Sequence, residues 1–338
     1  DIKPDGFCHA AEVQLPLIHE PVADKDNKNL LLQDTDLFPF KPLTDVVVKG
    51  HAYSYNRAAR FKIAVQIRDY VKNIEVIGDR KCETVFGRRF VFTDPLPVEK
   101  IPLRYDYAYG GRDLAAEEKF GNPYADLQKY INPEECDVAD ASPYLYPRNP
   151  CGKGYLIEPT KDALDALILP NLEDPLYPLT PENIAVGEPE DWLLKPLPQC
   201  FDWFDYGWFP RIAYCGVLPI FNSPGKPIDE VVKGYAPSDI LVETQPKRDF
   251  AFKMTNGASL GMQHPYLTGG EVIYLTNMHP TMQIFKVVLP EQKPKIATDG
   301  RNGRLNAAEP VMQTVLIEPD LNRLVIVWRG CAQALRPY

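Results

Sequence analysis

The chain has 338 residues, with 45% hydrophobic and 25% charged side chains, a balance that belongs to folded globular proteins and excludes both membrane-embedded and solvated disordered chains. Its 34 prolines are about twice the usual share, and because proline lacks an N–H donor and blocks helix interiors, long helices are expected to be scarce. A formal net charge of -9 leaves no basic stripe for a phosphate backbone, which argues against nucleic acid and for protein as a partner.

Val46-Val47-Val48 opens the series of expected strands. In the next, Phe61, Ile63, Val65 and Ile67 alternate with Lys62, Ala64, Gln66 and Arg68, the period of two that turns one face inward. Asn73 to Ile77 and Arg89 to Thr93 follow, with turn residues Asp69, Asn73, Gly78 and Asp79 between them, so residues 45–95 read as an antiparallel meander. From Gly110 to Pro210 the chain turns loop-rich, with two short helical candidates. These are Leu114–Phe120, stopped by Gly121-Asn122-Pro123, and Thr160–Leu167. A stretch of this length is expected to be a functional or partner-binding excursion.

Strands return where Val272, Tyr274 and Thr276 alternate with Ile273 and Leu275, and again over Gln283–Leu289. Met312–Ile317 and Leu324–Trp328 flank Pro319-Asp320-Leu321-Asn322, a loop of the length that joins antiparallel neighbours. The class expected is all-β, mainly antiparallel and sandwich-like, with a proline-rich central excursion and few short helices. A single domain over 1–338 is expected, divisible into an N-terminal β lobe (1–110), a central region (111–250) and a C-terminal β lobe (251–338).

No GxSxG elbow, HExxH, P-loop or dinucleotide fingerprint is present, and no cofactor is expected. His9, His19, His51, His264 and His279 are dispersed without metal-ligand spacing, so no metal is expected and each reads as a surface or satisfied histidine. The seven cysteines, an odd number with no CxxC pair, read as reduced and mostly buried thiols of a cytoplasmic protein. No apolar run is long enough for a membrane helix, and Asp1-Ile2-Lys3-Pro4 carries no export signal. The sequence does not begin with Met, so a trimmed leader stays open.

Charged residues beside glycines form a series. It runs Gly78-Asp79-Arg80, Arg104-Tyr105-Asp106, Gly110-Gly111-Arg112-Asp113, Arg148-Asn149, Gly152-Lys153-Gly154 and Asn171-Leu172-Glu173. One reading makes Asp79, Asp106 and Glu173 the general acid and base of a carbohydrate-active hydrolase, or the polar face of a sugar-binding sandwich. The favoured reading makes the series structural, an Arg and carboxylate network that ties loops down, with Asp79 and Arg80 bonded to loop backbone or to each other. Phe201, Trp203, Phe204, Tyr206, Trp208 and Phe209 exceed what one side of a strand can bury. Core packing is slightly the favoured reading of the cluster, but Asp202, Asp205 and Gly207 suggest a loop with solvent on one side. Part of it, with Arg211, is therefore expected at the surface as a partner contact.

These motifs carry a resemblance. Lys41-Pro42-Leu43-Thr44-Asp45 through Gly50-His51-Ala52, Val76-Ile77-Gly78-Asp79-Arg80, Pro102 through Gly111, Asn149 through Gly154, Leu169 through Glu173, Thr314 through Asp320 and Trp328-Arg329-Gly330 follow one another in a familiar order. In these residues the chain resembles the bacterial domain-of-unknown-function family numbered 2169, found beside type VI secretion genes. The family commonly has Trp where this chain has Lys81-Cys82. The resemblance implies a non-enzymatic adaptor or chaperone. It would hold a type VI effector, or that effector's PAAR-like delivery region, for loading onto the VgrG spike, and it implies no catalytic residue.

Overall fold

The computed structural model describes residues 1–38, 40–85, 89–122, 142–187, 189–209, 211–212, 241–242, 245–246, 252–299 and 305–331. Two sheets dominate them, and the all-β expectation holds. In the five-stranded sheet the order is Leu172–Glu173, Tyr70–Ile77, Arg60–Ile67, Val272–Thr276 and Ile284–Val288, antiparallel throughout. In the four-stranded sheet it is Gln263–His264, Thr44–Val48, Pro310–Glu318 and Arg323–Gly330.

Local signals placed the hairpins. Strands 60–67 and 70–77 pair from Arg60↔Ile77 to Ile67↔Tyr70, so the turn is only Arg68-Asp69, with Arg68 at φ 53. Asn73 is therefore a strand residue opposite Ala64 and not a turn. Ile63, Val65 and Ile67 face the core, as their alternation requires. Strands 310–318 and 323–330 pair around Pro319–Leu321, with Asn322 left-handed at φ 50.

The meander expected over 45–95 is not formed. Thr44–Val48 leaves for the other sheet, where it runs parallel to 310–318 with Asp45 opposite Thr314 and Val48 opposite Ile317. Every residue of this strand is buried, the pattern of a central strand covered on both faces. Cys82–Val85 and Arg89–Phe92 form a separate hairpin.

Both helical candidates form, each held by a side-chain cap. Asp113 accepts Ala116 N at 2.9 Å ahead of helix Leu114–Phe120, which ends at Gly121 with φ 75. Thr160 accepts Ala163 N at 3.2 Å ahead of Lys161–Ala166. Neither is long and apolar enough to cross a membrane, nor is any helix among the described residues.

One core joins the sheets, Ile63, Val65, Ile273 and Phe285 meeting Val46, Val47, Val315 and Ile317. A second cluster, with Tyr109, Tyr146, Tyr155, Trp192 and Phe209, fills the central region. Segments 1–110 and 251–338 thus contribute strands to the same two sheets. The cysteines of the described residues are free thiols. Cys82, Cys151 and Cys200 are buried, Cys8 is half-buried and Cys331 is exposed, while Cys136 and Cys215 lie outside the described residues.

Lys72 pins a loop to the first sheet. Its buried Nζ donates to Cys200 O at 2.9 Å, Ser259 Oγ at 3.0 Å and Leu260 O at 2.7 Å, and stands 5.3 Å from the Phe201 ring centroid. Burial pushes its pKa down to about 8. Between that value and about 10.4 the unfolded chain holds a proton that the folded chain has released, so the cost of burial is complete below the window and relieved above it. Raising the pH through the window should favour wild type over Lys72→Met by roughly 2–3 kcal/mol, by the free-energy equivalent of a pKa shift. Urea titrations of both proteins across the window check this, and parallel pH profiles would refute it.

Candidate functional site

The motif residues converge where the first sheet meets the central region. Two glycines make the approach. A Cβ on Gly78 would stand 1.9 Å from Leu96 O, and one on Gly110, at φ 150, would stand 2.2 Å from Asn149 O. Tyr109-Gly110 and Lys153-Gly154 then pair as short parallel strands.

Two asparagines tie the motifs together. Asn149, fully buried, donates through Nδ2 to Tyr105 O at 2.8 Å and Tyr109 O at 3.0 Å, while its carbonyl accepts Gly111 N at 2.8 Å. Asn171 donates its backbone N–H to Tyr107 O at 2.8 Å and its Nδ2 to Ile77 O at 3.0 Å and Asp79 Oδ1 at 2.9 Å. Its Oδ1 accepts Lys153 Nζ at 3.3 Å. Through its backbone and its amide, Asn171 therefore links its own motif to three others that are distant in sequence.

Charges balance around this core. Arg104 forks onto Asp106 at 3.1 and 2.9 Å and reaches Asp24 at 3.6 Å. Lys153 Nζ lies 4.0 Å from the Tyr107 ring centroid. Burial lowers its pKa, and the charges of Asp106 and Asp79 oppose that shift. Asp202, buried nearby, has its carboxyl pushed up to about 6 by burial, against the pull of Lys49 and Arg104.

Arg80 and Glu173 form a buried ion pair. Arg80 Nη2 donates to Glu173 Oε1 and Nη1 donates to Pro170 O at 3.2 Å, while Glu173 Oε2 accepts Leu179 N at 3.0 Å. Burial pushes the Glu173 carboxyl up and the Arg80 guanidinium down, and each holds the other ionised. Of the two expected arrangements, Arg80 takes the loop-backbone bond, to Pro170 O, while the bond between Asp79 and Arg80 is not formed: Asp79 is exposed and serves Asn171, whereas Arg80 turns inward to Glu173. Gly78→Ala should consequently destabilise by about 2 kcal/mol through forced overpacking, and Asp79→Ala by about 1 kcal/mol or less. Denaturation midpoints of the two variants check the order, and Asp79→Ala proving the costlier would refute it.

Asp79, Asp106 and Glu173 are each bonded to another side chain. Glu173 is committed to the buried pair, Asp106 to Arg104, and Asp79 accepts from Asn171. Among the described residues no group of three or more His, Cys, Asp or Glu could hold a metal.

The aromatic cluster is corrected more sharply. Phe201, Trp203, Phe204, Trp208 and Phe209 are buried, and Tyr206 alone reaches the surface, at 48% exposure. The segment turns where the sequence suggested one flank: Asp205 accepts Gly207 N at 2.7 Å through Oδ1 and Trp208 N at 3.2 Å through its carbonyl. Phe204 and Trp208 consequently pack on Tyr105 at 5.6 and 5.3 Å between ring centroids, while Phe209 meets Trp192 at 5.5 Å. Arg211 is buried too, bound to Asp34 and Met254 O at 2.6 Å each and to Phe204 O at 2.5 Å.

Two further clusters escaped sequence reasoning. Asp45, fully buried, accepts Lys41 Nζ at 2.8 Å, Asn256 Nδ2 at 2.9 Å, Gly257 N at 3.0 Å and Ala258 N at 3.2 Å. Asn256 and Ala258 also line a cleft of about 370 Å³ with Pro42, Leu43, Phe204 and Leu260. Asp320 accepts His51 Nδ1 at 2.6 Å and Tyr53 OH at 2.9 Å, and burial with that carboxylate raises the Tyr53 pKa to about 12. Lys41, Asp45, His51 and Asp320 all lie within the quoted motifs. Lys41 and Asp45 are four residues apart, but the partners in the other five contacts are more than 200 residues apart, which hid them.

A family model described as an uncharacterized protein conserved in bacteria (DUF2169) matches residues 1–329. No curated protein and no solved structure matches the chain.

Proposed function

The chain belongs to the DUF2169 family, and on that premise we propose that it is a non-enzymatic adaptor of bacterial type VI secretion. It acts in the cytoplasm, binding a toxic effector or its PAAR-like delivery region and presenting it to the VgrG spike. The observation that carries this reading over hydrolysis is the use made of the carboxylates. Glu173 is buried in an ion pair with Arg80, while Asp106 is forked by Arg104 and the exposed Asp79 accepts from Asn171, contacts that hold loops together. Surface apolar groups suit a protein partner instead: Val13, Leu15 and Leu17 stand exposed in one segment outside the sheets.

The test is a pulldown of the full chain with the products of adjacent genes. Retention of a neighbouring toxin or spike protein, at micromolar affinity or tighter, is the expected result. Hydrolysis across a glycan panel that disappears in Asp79→Asn would overturn the adaptor reading in favour of an enzyme.

A further inference from the structure

We draw no further inference here: the strongest candidate, the cleft of about 370 Å³ between Pro42-Leu43 and the 253–263 segment, lined by Phe204, Ala258 and Leu260, is a mainly apolar face, and nothing in the structure shows what covers it.

Discussion

Asp45→Ala is expected to cost 4 kcal/mol or more, the largest effect of any single substitution considered. The carboxylate is fully buried and accepts four donors, so its loss strands the ammonium of Lys41, itself 2% exposed, together with Asn256 Nδ2 and two backbone N–H groups. Breaking one partner of a buried pair costs about 3–5 kcal/mol, and each orphaned neutral donor adds about 1 kcal/mol or more. Removing both charges, as in Lys41→Met with Asp45→Asn, should recover a large part of the loss because no ion is left in the interior. Urea or thermal denaturation reads the difference. An Asp45→Ala protein with a wild-type midpoint would mean that the network is not closed as described.

Arg80→Ala should follow at about 3–4 kcal/mol, through the uncompensated carboxylate of Glu173. Glu173→Gln should cost a similar amount, since its single amide oxygen can accept from Leu179 N or from Arg80 but not from both, and the buried guanidinium loses its counter-charge. A double-mutant cycle over the pair should return a coupling of about 2–3 kcal/mol. Cargo retention by the folded fraction of Arg80→Ala should be unchanged. A variant that melts like wild type yet releases its cargo would make the pair a recognition element.

What could be seen in the sequence was what neighbouring residues decide. Asp113 and Thr160 cap their helices within three residues, and Ile63, Val65 and Ile67 turn inward by simple alternation. The parallel partner of Val46–Val48 was illegible, because nothing in an apolar triplet states which distant strand lies beside it. The Gly78-Asp79-Arg80 motif was rightly placed at a corner, but its counter-ion lies 93 residues on, beyond any local rule. Aromatic density misled for a geometric reason. The count assumed one straight strand, and a turn at Asp205 to Trp208 lets the rings enter two cores.

The parallel pairing of Thr44–Val48 with Pro310–Glu318 also sets the order of events at the ribosome. Synthesis delivers the first strand early and its neighbour about 270 residues later, which at about 5–20 residues per second is a delay of roughly 14–54 s. Through most of that interval Val46, Val47 and Val48 have no strand beside them, since the other neighbour, Gln263–His264, also comes late, and the nascent chain displays a β-prone apolar triplet. Closing a loop of this length is slow for entropic reasons, and high contact order slows it further. The four-stranded sheet therefore completes only after most of the polypeptide has emerged. Fragments truncated before residue 310 should aggregate on release, however well the hairpin at 60–77 has formed.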